Sequence, residues 1–263
     1  MEAGIAGLFG LLIGSFLNVC IYRLPRDLSV LFPRSHCPEC EQTIAWYDNI
    51  PLLSYLVLGR RCRNCGAWIS WRYPAVELLT GVLFYLAVYL YGVTPVAVKL
   101  CLFSAILVEL TISDLETLIV PDEFTLGGLA LGVVTAAFVP MPSELVSLFT
   151  SLDADPRLVS VGNSIAGALF TGGTLYLVGW LYKKVRKREG LGLGDVKMIA
   201  MVGSFLGLHL TLLALIAGSI VGSIVGLAYI YAFKKDPATY ELPYGTFIGA
   251  AAIVMGFLGP RLI

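Results

Sequence analysis

The sequence predicts an all-α polytopic membrane protein with about eight transmembrane helices and a small cytoplasmic domain. Three observations carry this. The 263 residues are 57% hydrophobic and only 14% charged, with a mean hydropathy of +0.83, whereas a soluble domain has about 25% charged residues. Apolar stretches of about 20 residues recur along the chain. Between the first two lies a polar stretch with two Cys-x-x-Cys pairs. The main solvent is therefore expected to be membrane lipid, and no nucleic-acid partner is expected.

The expected helices lie near 3–22, 75–92, 96–113, 123–140, 160–182, 195–208, 210–233 and 244–260. His209 and Thr211 are the only break between the sixth and seventh, so seven helices is the alternative count. The chain thus divides into a first transmembrane helix (1–22), a cytoplasmic four-cysteine module (23–74) and a helical membrane bundle (75–263). The first helix does not read as a cleaved signal peptide. Met1-Glu2 supplies no positive charge ahead of it, and Arg23 and Arg26 follow it.

Positive charge behind the first helix predicts an outside N-terminus. Loop charges agree with that. Residues 23–73 hold Arg23, Arg26, Arg34, Arg60, Arg61, Arg63 and Arg72, residues 183–188 read Lys-Lys-Val-Arg-Lys-Arg, and Lys234-Lys235 follow the seventh helix. The loop at 141–159 has only Arg157, against Glu144, Asp153 and Asp155. Eight alternating helices therefore place 23–73, 114–122, 183–194 and 234–243 in the cytoplasm.

Within the module, Cys37-Pro38-Glu39-Cys40 and Cys62-Arg63-Asn64-Cys65 are separated by 21 residues. That spacing matches a closed tetrahedral zinc site with four thiolate ligands, and Gly59 and Gly66 suit the knuckle turns. The arginine count places the module in a reducing compartment, which argues against structural disulfides. Redox dithiols and metal-free pairs are the alternatives. A segment of about 50 residues buries little core, so a metal staple is physically reasonable. It would hold Ile50–Leu56 against the membrane surface. Cys20 and Cys101, inside apolar helices, are expected to be inert buried thiols.

Two acids stand out in the bundle. Asp114 closes the third helix, and Asp195 follows the glycine-rich Gly190-Leu191-Gly192-Leu193-Gly194 at the start of the sixth. Carboxylates at membrane depth are costly and mark functional sites by default. The topology places both at the cytoplasmic side and at similar depth, although nothing in it forced the match. Close carboxylates share a proton and titrate as a pair. The helix dipole favours the anion at Asp195 and opposes it at Asp114. Asp195 is thus the expected base that activates water, and Asp114 the expected proton-bearing acid. Capping is the competing role for Asp195, and the favoured one for Asp122 after Pro121. Gly192 and Gly194 allow a backbone to approach closely. Glu109 is expected to hydrogen-bond a neighbouring helix, Lys197 to snorkel to the interface, and Ser15 and Asn18 to make helix–helix contacts.

With these residues assembled, the chain resembles the type IV prepilin peptidases, GxGD-type intramembrane aspartic proteases of pilus assembly and type II secretion. Gly14-Ser15-Phe16-Leu17-Asn18-Val19 with Arg23-Leu24-Pro25 resembles the opening signature. Cys37 through Asn49-Ile50-Pro51, the second cysteine pair, and Ile69 through Leu78 resemble the cytoplasmic domain. Asp114 through Pro121-Asp122 and Gly192 through Lys197 match the two catalytic motifs. The resemblance implies that Asp114 and Asp195 are catalytic, with Gly192, Gly194, Pro121 and Asp122 shaping their site. It implies cleavage of prepilin and pseudopilin leaders after a glycine, at the cytoplasmic face of the bacterial inner membrane. It also implies N-methylation of the new terminus from S-adenosylmethionine, with Glu77 a contributor in or beside the module. No dinucleotide-type glycine fingerprint marks a cofactor site. Tyr244 and Thr246 stand where the family often has Phe and Pro, which bears on the shape of a substrate groove.

Two other classes compete with this reading. A proton-coupled transporter would spread its acids through the membrane rather than match them at one face. A membrane thiol oxidoreductase would need its cysteines on the oxidising side, against the arginine count.

Overall fold

The computed structural model describes residues 1–141, 146, 155–188, 190–236 and 241–262. Contacts divide the chain into two compact units, Met1–Glu109 and Leu110–Ile263. Described residues form helices and no named strand. Among the described residues, five helices are long and apolar enough to cross a membrane.

In the first unit, α1 (Glu2–Arg23) packs on α3 (Arg72–Tyr91) through small residues. A Cβ at Gly10 would lie 2.8 Å from Phe84 Cβ, and one at Gly14 2.7 Å from Glu77 Cα. Only glycine permits that approach, as in close-packed membrane helices. Asn18 adds the expected interhelical bond, its Nδ2 donating to the Tyr73 carbonyl at 3.0 Å. Where α1 ends, the buried Arg23 guanidinium donates to the carbonyls of Ser29 (2.9 Å) and Pro33 (2.7 Å) and turns the chain out of the helix.

Between these helices the polar segment holds 3-10 turns at Leu24–Arg26 and Trp46–Asn49 and one short helix, α2 (Leu53–Val57). Two isolated bridges, His36 to Thr43 and Arg61 to Trp68, close the two cysteine loops. They are built alike. In each, a cysteine N–H bonds a carbonyl five residues on (Cys37 to Gln42, Cys62 to Ala67). In each, the residue after the second cysteine is left-handed: Glu41 at φ 57° and Gly66 at φ 73°.

The second unit begins inside α4 (Pro95–Thr117) and continues with α5 (Asp122–Ala136), α6 (Pro156–Arg186), α7 (Leu193–Phe233) and α8 (Tyr244–Leu262). The fourth expected helix stops at Ala136 rather than 140. The fifth is longer than expected because Asp155 caps it early, its Oδ1 accepting from Arg157 N–H at 2.9 Å. Glu144 and Asp153, counted in the 141–159 loop, lie outside the described residues.

At 1.5 Å per residue, α7 would be about 60 Å long if straight, twice the bilayer core. It is not straight. Gly207 has φ 78° and ψ −176°, a conformation open to glycine. Along α8, Gly245 and Gly249 meet Asp195 and Met198, whereas Ile248 and Gly259 meet Gly218 and Leu210. The two halves of α7 therefore run antiparallel and reverse at Gly207. The break falls there, and not at His209–Thr211 as the sequence suggested, because a left-handed glycine can turn the backbone where the polar residues remain helical.

Candidate active site

The same contacts order one end of the second unit. The last turn of α4 and the first turns of α5, α7 and α8 meet there. The turn between α4 and α5 is tight, with Leu118 left-handed at φ 56° and Pro121 extended at the cap position of α5. A Cβ on Gly194 would lie 3.1 Å from Val120 Cβ, so the glycine-rich loop rests directly on this turn.

Asp114 lies in the last turn of α4 and is 4% exposed. Its Oδ2 accepts two hydrogen bonds from Thr246, from the backbone N–H at 2.7 Å and from the hydroxyl at 3.0 Å. Asp195 is the third residue of α7. It does not cap that helix, because Gly192 holds the cap position. The Asp195 carboxylate instead reaches back to the Gly192 N–H, as the acid of a capping box does.

Gly245 brings the two acids into one place. A Cβ there would stand 3.1 Å from Asp114 Oδ2 and 3.3 Å from Asp195 Oδ1. Both oxygens therefore border the same small volume, no further apart than the sum of those distances. A side chain at 245 would fill the space in which the acids face each other.

Asp122 is helical rather than a cap, and its carboxylate pairs with Lys197 Nζ at 2.7 and 2.8 Å. This corrects the cap expected at Asp122 and gives Lys197 an acidic partner. Two residues from Asp195, Lys197 turns toward the first turn of α5, where an acid without a capping role gives it a partner. Gly245 and Thr246 were not singled out as site residues. Their one signal was the departure from the family pattern at Tyr244 and Thr246.

In the first unit, the ligand atoms of Cys37, Cys40, Cys62 and Cys65 all lie within 4.8 Å of one another, with Cys37 Sγ 3.8 Å from Cys65 Sγ. Four thiolates about 2.3 Å from one tetrahedral ion would stand roughly 3.8 Å apart, so the cluster fits a metal ion. Backbone N–H groups of Cys65 and Asn64 pull the Cys62 thiol down to about 7, whereas Cys65, despite the Ala67 N–H, is pushed up to about 12 by desolvation and by the Cys40 and Cys62 thiols. Asp48 in the 3-10 turn is bound by the Arg63 fork at 2.6 and 2.8 Å, tying the second cysteine loop to that turn. Beside these lies a cavity of about 610 Å³ whose lining includes Ser15, Asn18, Tyr47, Asp48 and Glu77. Its size is that of a small-molecule site. Glu77 is buried, and its Oε2 accepts the Leu52 N–H at 2.8 Å.

Comparison with known proteins matches residues 8–91 to the bacterial peptidase A24 N-terminal domain and residues 101–227 to the type IV leader peptidase family. A "prepilin leader peptidase/N-methyltransferase" of Pseudomonas aeruginosa is 32% identical over 97% of this chain and 90% of its own length. The chain belongs to the type IV leader peptidase family. A "type 4 prepilin-like proteins leader peptide-processing enzyme" of Escherichia coli is 36% identical over 95% of this chain and 91% of its own length. A prepilin leader peptidase/N-methyltransferase of Myxococcus xanthus is 40% identical, over 85% of this chain but only 62% of that relative's length. No solved structure matches the chain. Asp114 and Asp195 fall inside the second matched region and the four cysteines inside the first, while Gly245 and Thr246 lie beyond both.

Proposed function

We propose that the chain removes the leader peptide from type IV prepilins and pseudopilins, with Asp114 and Asp195 as its acid pair, and then N-methylates the exposed terminus. The observation that carries the peptidase reading is the bracketing of Gly245 by oxygens of both acids. Two carboxylates that border one such small volume can act on one water held between them. Asp195 takes a proton from water, the resulting hydroxide attacks the scissile carbonyl, and Asp114 gives its proton to the carbonyl oxygen. Collapse of the tetrahedral intermediate returns a proton to the leaving amine. Gly192, Gly194, Pro121 and Asp122 shape the approach.

Residues 1–22 form the first transmembrane helix, residues 23–74 the module and residues 75–263 the protease bundle. With the N-terminus outside and the module cytoplasmic, a prepilin helix in the bilayer presents its leader at the depth of the acids. Zinc held by Cys37, Cys40, Cys62 and Cys65 staples the module. The cavity beside Glu77 takes S-adenosylmethionine, which supplies the methyl group. Glu77, anchored by Leu52 N–H, orients the incoming amine.

The test incubates the purified protein with a prepilin, with and without the methyl donor, and weighs the product. A shortened product gaining one methyl with the donor is expected. Uncut substrate rejects the peptidase reading, and a cut but unmethylated product rejects only the second activity. Asp114→Asn and Asp195→Asn should each lower cleavage by roughly 10³-fold or more.

A further inference from the structure

Thr246 makes a set of contacts that a helix start does not need. It is the third residue of α8, so its N–H has no partner within the helix. That N–H donates to Asp114 Oδ2 at 2.7 Å. Its hydroxyl lies 3.0 Å from Asp114 Oδ2 and 3.0 Å from the Thr111 carbonyl. A hydroxyl carries one hydrogen and accepts through its lone pairs. It can donate to only one of those two oxygens at a time.

We propose that Thr246 is a positioning residue whose hydroxyl keeps Asp114 hydrogen-bonded in both of its protonation states. When Asp114 is a carboxylate, the hydroxyl donates to Oδ2 and leaves Thr111 to its helix. When Oδ2 carries a proton, that proton is donated to the Thr246 oxygen, and the Thr246 hydrogen turns to the Thr111 carbonyl. Only the direction of donation changes. Each donor and acceptor is satisfied in either state, with no movement of heavy atoms.

At 4% exposure Asp114 has little access to water that could take over this task, and an unsatisfied buried polar group is costly. The inference rests on the acid-pair reading, in which each acid gains and loses a proton once per turnover. A residue that fits only one state would slow the cycle. Both hydroxyl partners belong to the protein, so the hydroxyl contributes nothing to holding the substrate.

The experiment uses the full chain in bilayers with a synthetic prepilin, comparing wild type, Thr246→Val, Thr246→Ser and Asp114→Asn. Thr246→Val should lower kcat roughly 10- to 100-fold, the worth of a hydrogen bond to a charged group. KM should stay within about twofold, and Thr246→Ser should restore kcat to within about threefold of wild type. A residue that merely ties α8 to α4 would change kcat and KM together, or lower thermal stability without favouring serine over valine. The proposal is overturned if Thr246→Val keeps wild-type kcat while Asp114→Asn is inactive, or if serine is as impaired as valine. Should the valine variant not fold, Thr246→Ala against Thr246→Ser decides by the same criterion. An active Asp114→Asn instead rejects the acid pair itself, and this proposal falls with it.

Discussion

Lys197 Nζ stands 2.7 Å from one carboxylate oxygen of Asp122 and 2.8 Å from the other, so a single ammonium group joins the first turns of α7 and α5. The pair sits two residues from Asp195 and one from Pro121, where the two family motifs touch. Its side chains are 36% and 56% exposed, so its contribution is alignment rather than stability. Lys197→Met and Asp122→Asn should each cost less than about 1 kcal/mol in thermal unfolding. Cleavage should fall further than stability does, and the double variant should be no worse than either single one. Equal cleavage by all four proteins would show that the pair aligns nothing.

Replacing Gly245 tests the shared volume between the acids. A methyl group there meets Asp114 Oδ2 at 3.1 Å and Asp195 Oδ1 at 3.3 Å, so one carboxylate must give way. Gly245→Ala should therefore lower kcat by at least about tenfold, since displacing a reacting group by a fraction of an ångström is costly. Gly173 supplies the control, because its Cβ would meet nothing within 4 Å. Gly173→Ala should leave cleavage unchanged and stabilise the helix by up to about 1 kcal/mol.

Metal removal should separate the two activities. All four cysteines belong to the unit ending at Glu109, and both acids to the unit beginning at Leu110. Chelation, or Cys62→Ser, should remove bound zinc as measured by elemental analysis and abolish methyl transfer, while leader cleavage persists. Loss of cleavage in step with the metal would contradict this division of labour.

The pair formed by Asp48 and Arg63 predicts an acid limb in module stability. Hydrogen bonds from the Arg63 guanidinium, helped by its charge, hold the Asp48 carboxyl below the usual carboxylate range. Its folded-state value is thus depressed, so the contribution is present above the unfolded value of about 3.9 and is lost as pH falls through the folded one. Tryptophan fluorescence during acid titration should show this loss. It should be weaker in high salt, because the pair is solvent-accessible, and absent in Asp48→Asn.

Some of this site was legible in the chain because the signals are local. The Cys37–Cys40 and Cys62–Cys65 spacings describe two loops that each present a pair of thiols, and the structure brings all four within 4.8 Å. Hydropathy and arginine placement put Asp114 and Asp195 at matching helix ends, and their oxygens border one volume. The dipole argument was incomplete, since Asp114 also receives the first-turn N–H of α8 from Thr246, 132 residues away. Lys197 was expected to snorkel to the interface, and the acid that receives it there lies 75 residues earlier.

What the sequence determined by itself is which segments leave water and where the costly groups sit along them. Those properties depend on the composition of each segment and on charges within a few residues of its ends. Which helix end meets which, where α7 turns back at Gly207, and which hydroxyl faces Asp114 were decided only by tertiary structure. They depend on how closely two helices approach, as where a Cβ at Gly203 would lie 2.6 Å from the Gly167 carbonyl oxygen and one at Gly218 2.8 Å from Ile248 Cα. That approach is a property of both partners' surfaces at once, and so is not written in either segment alone.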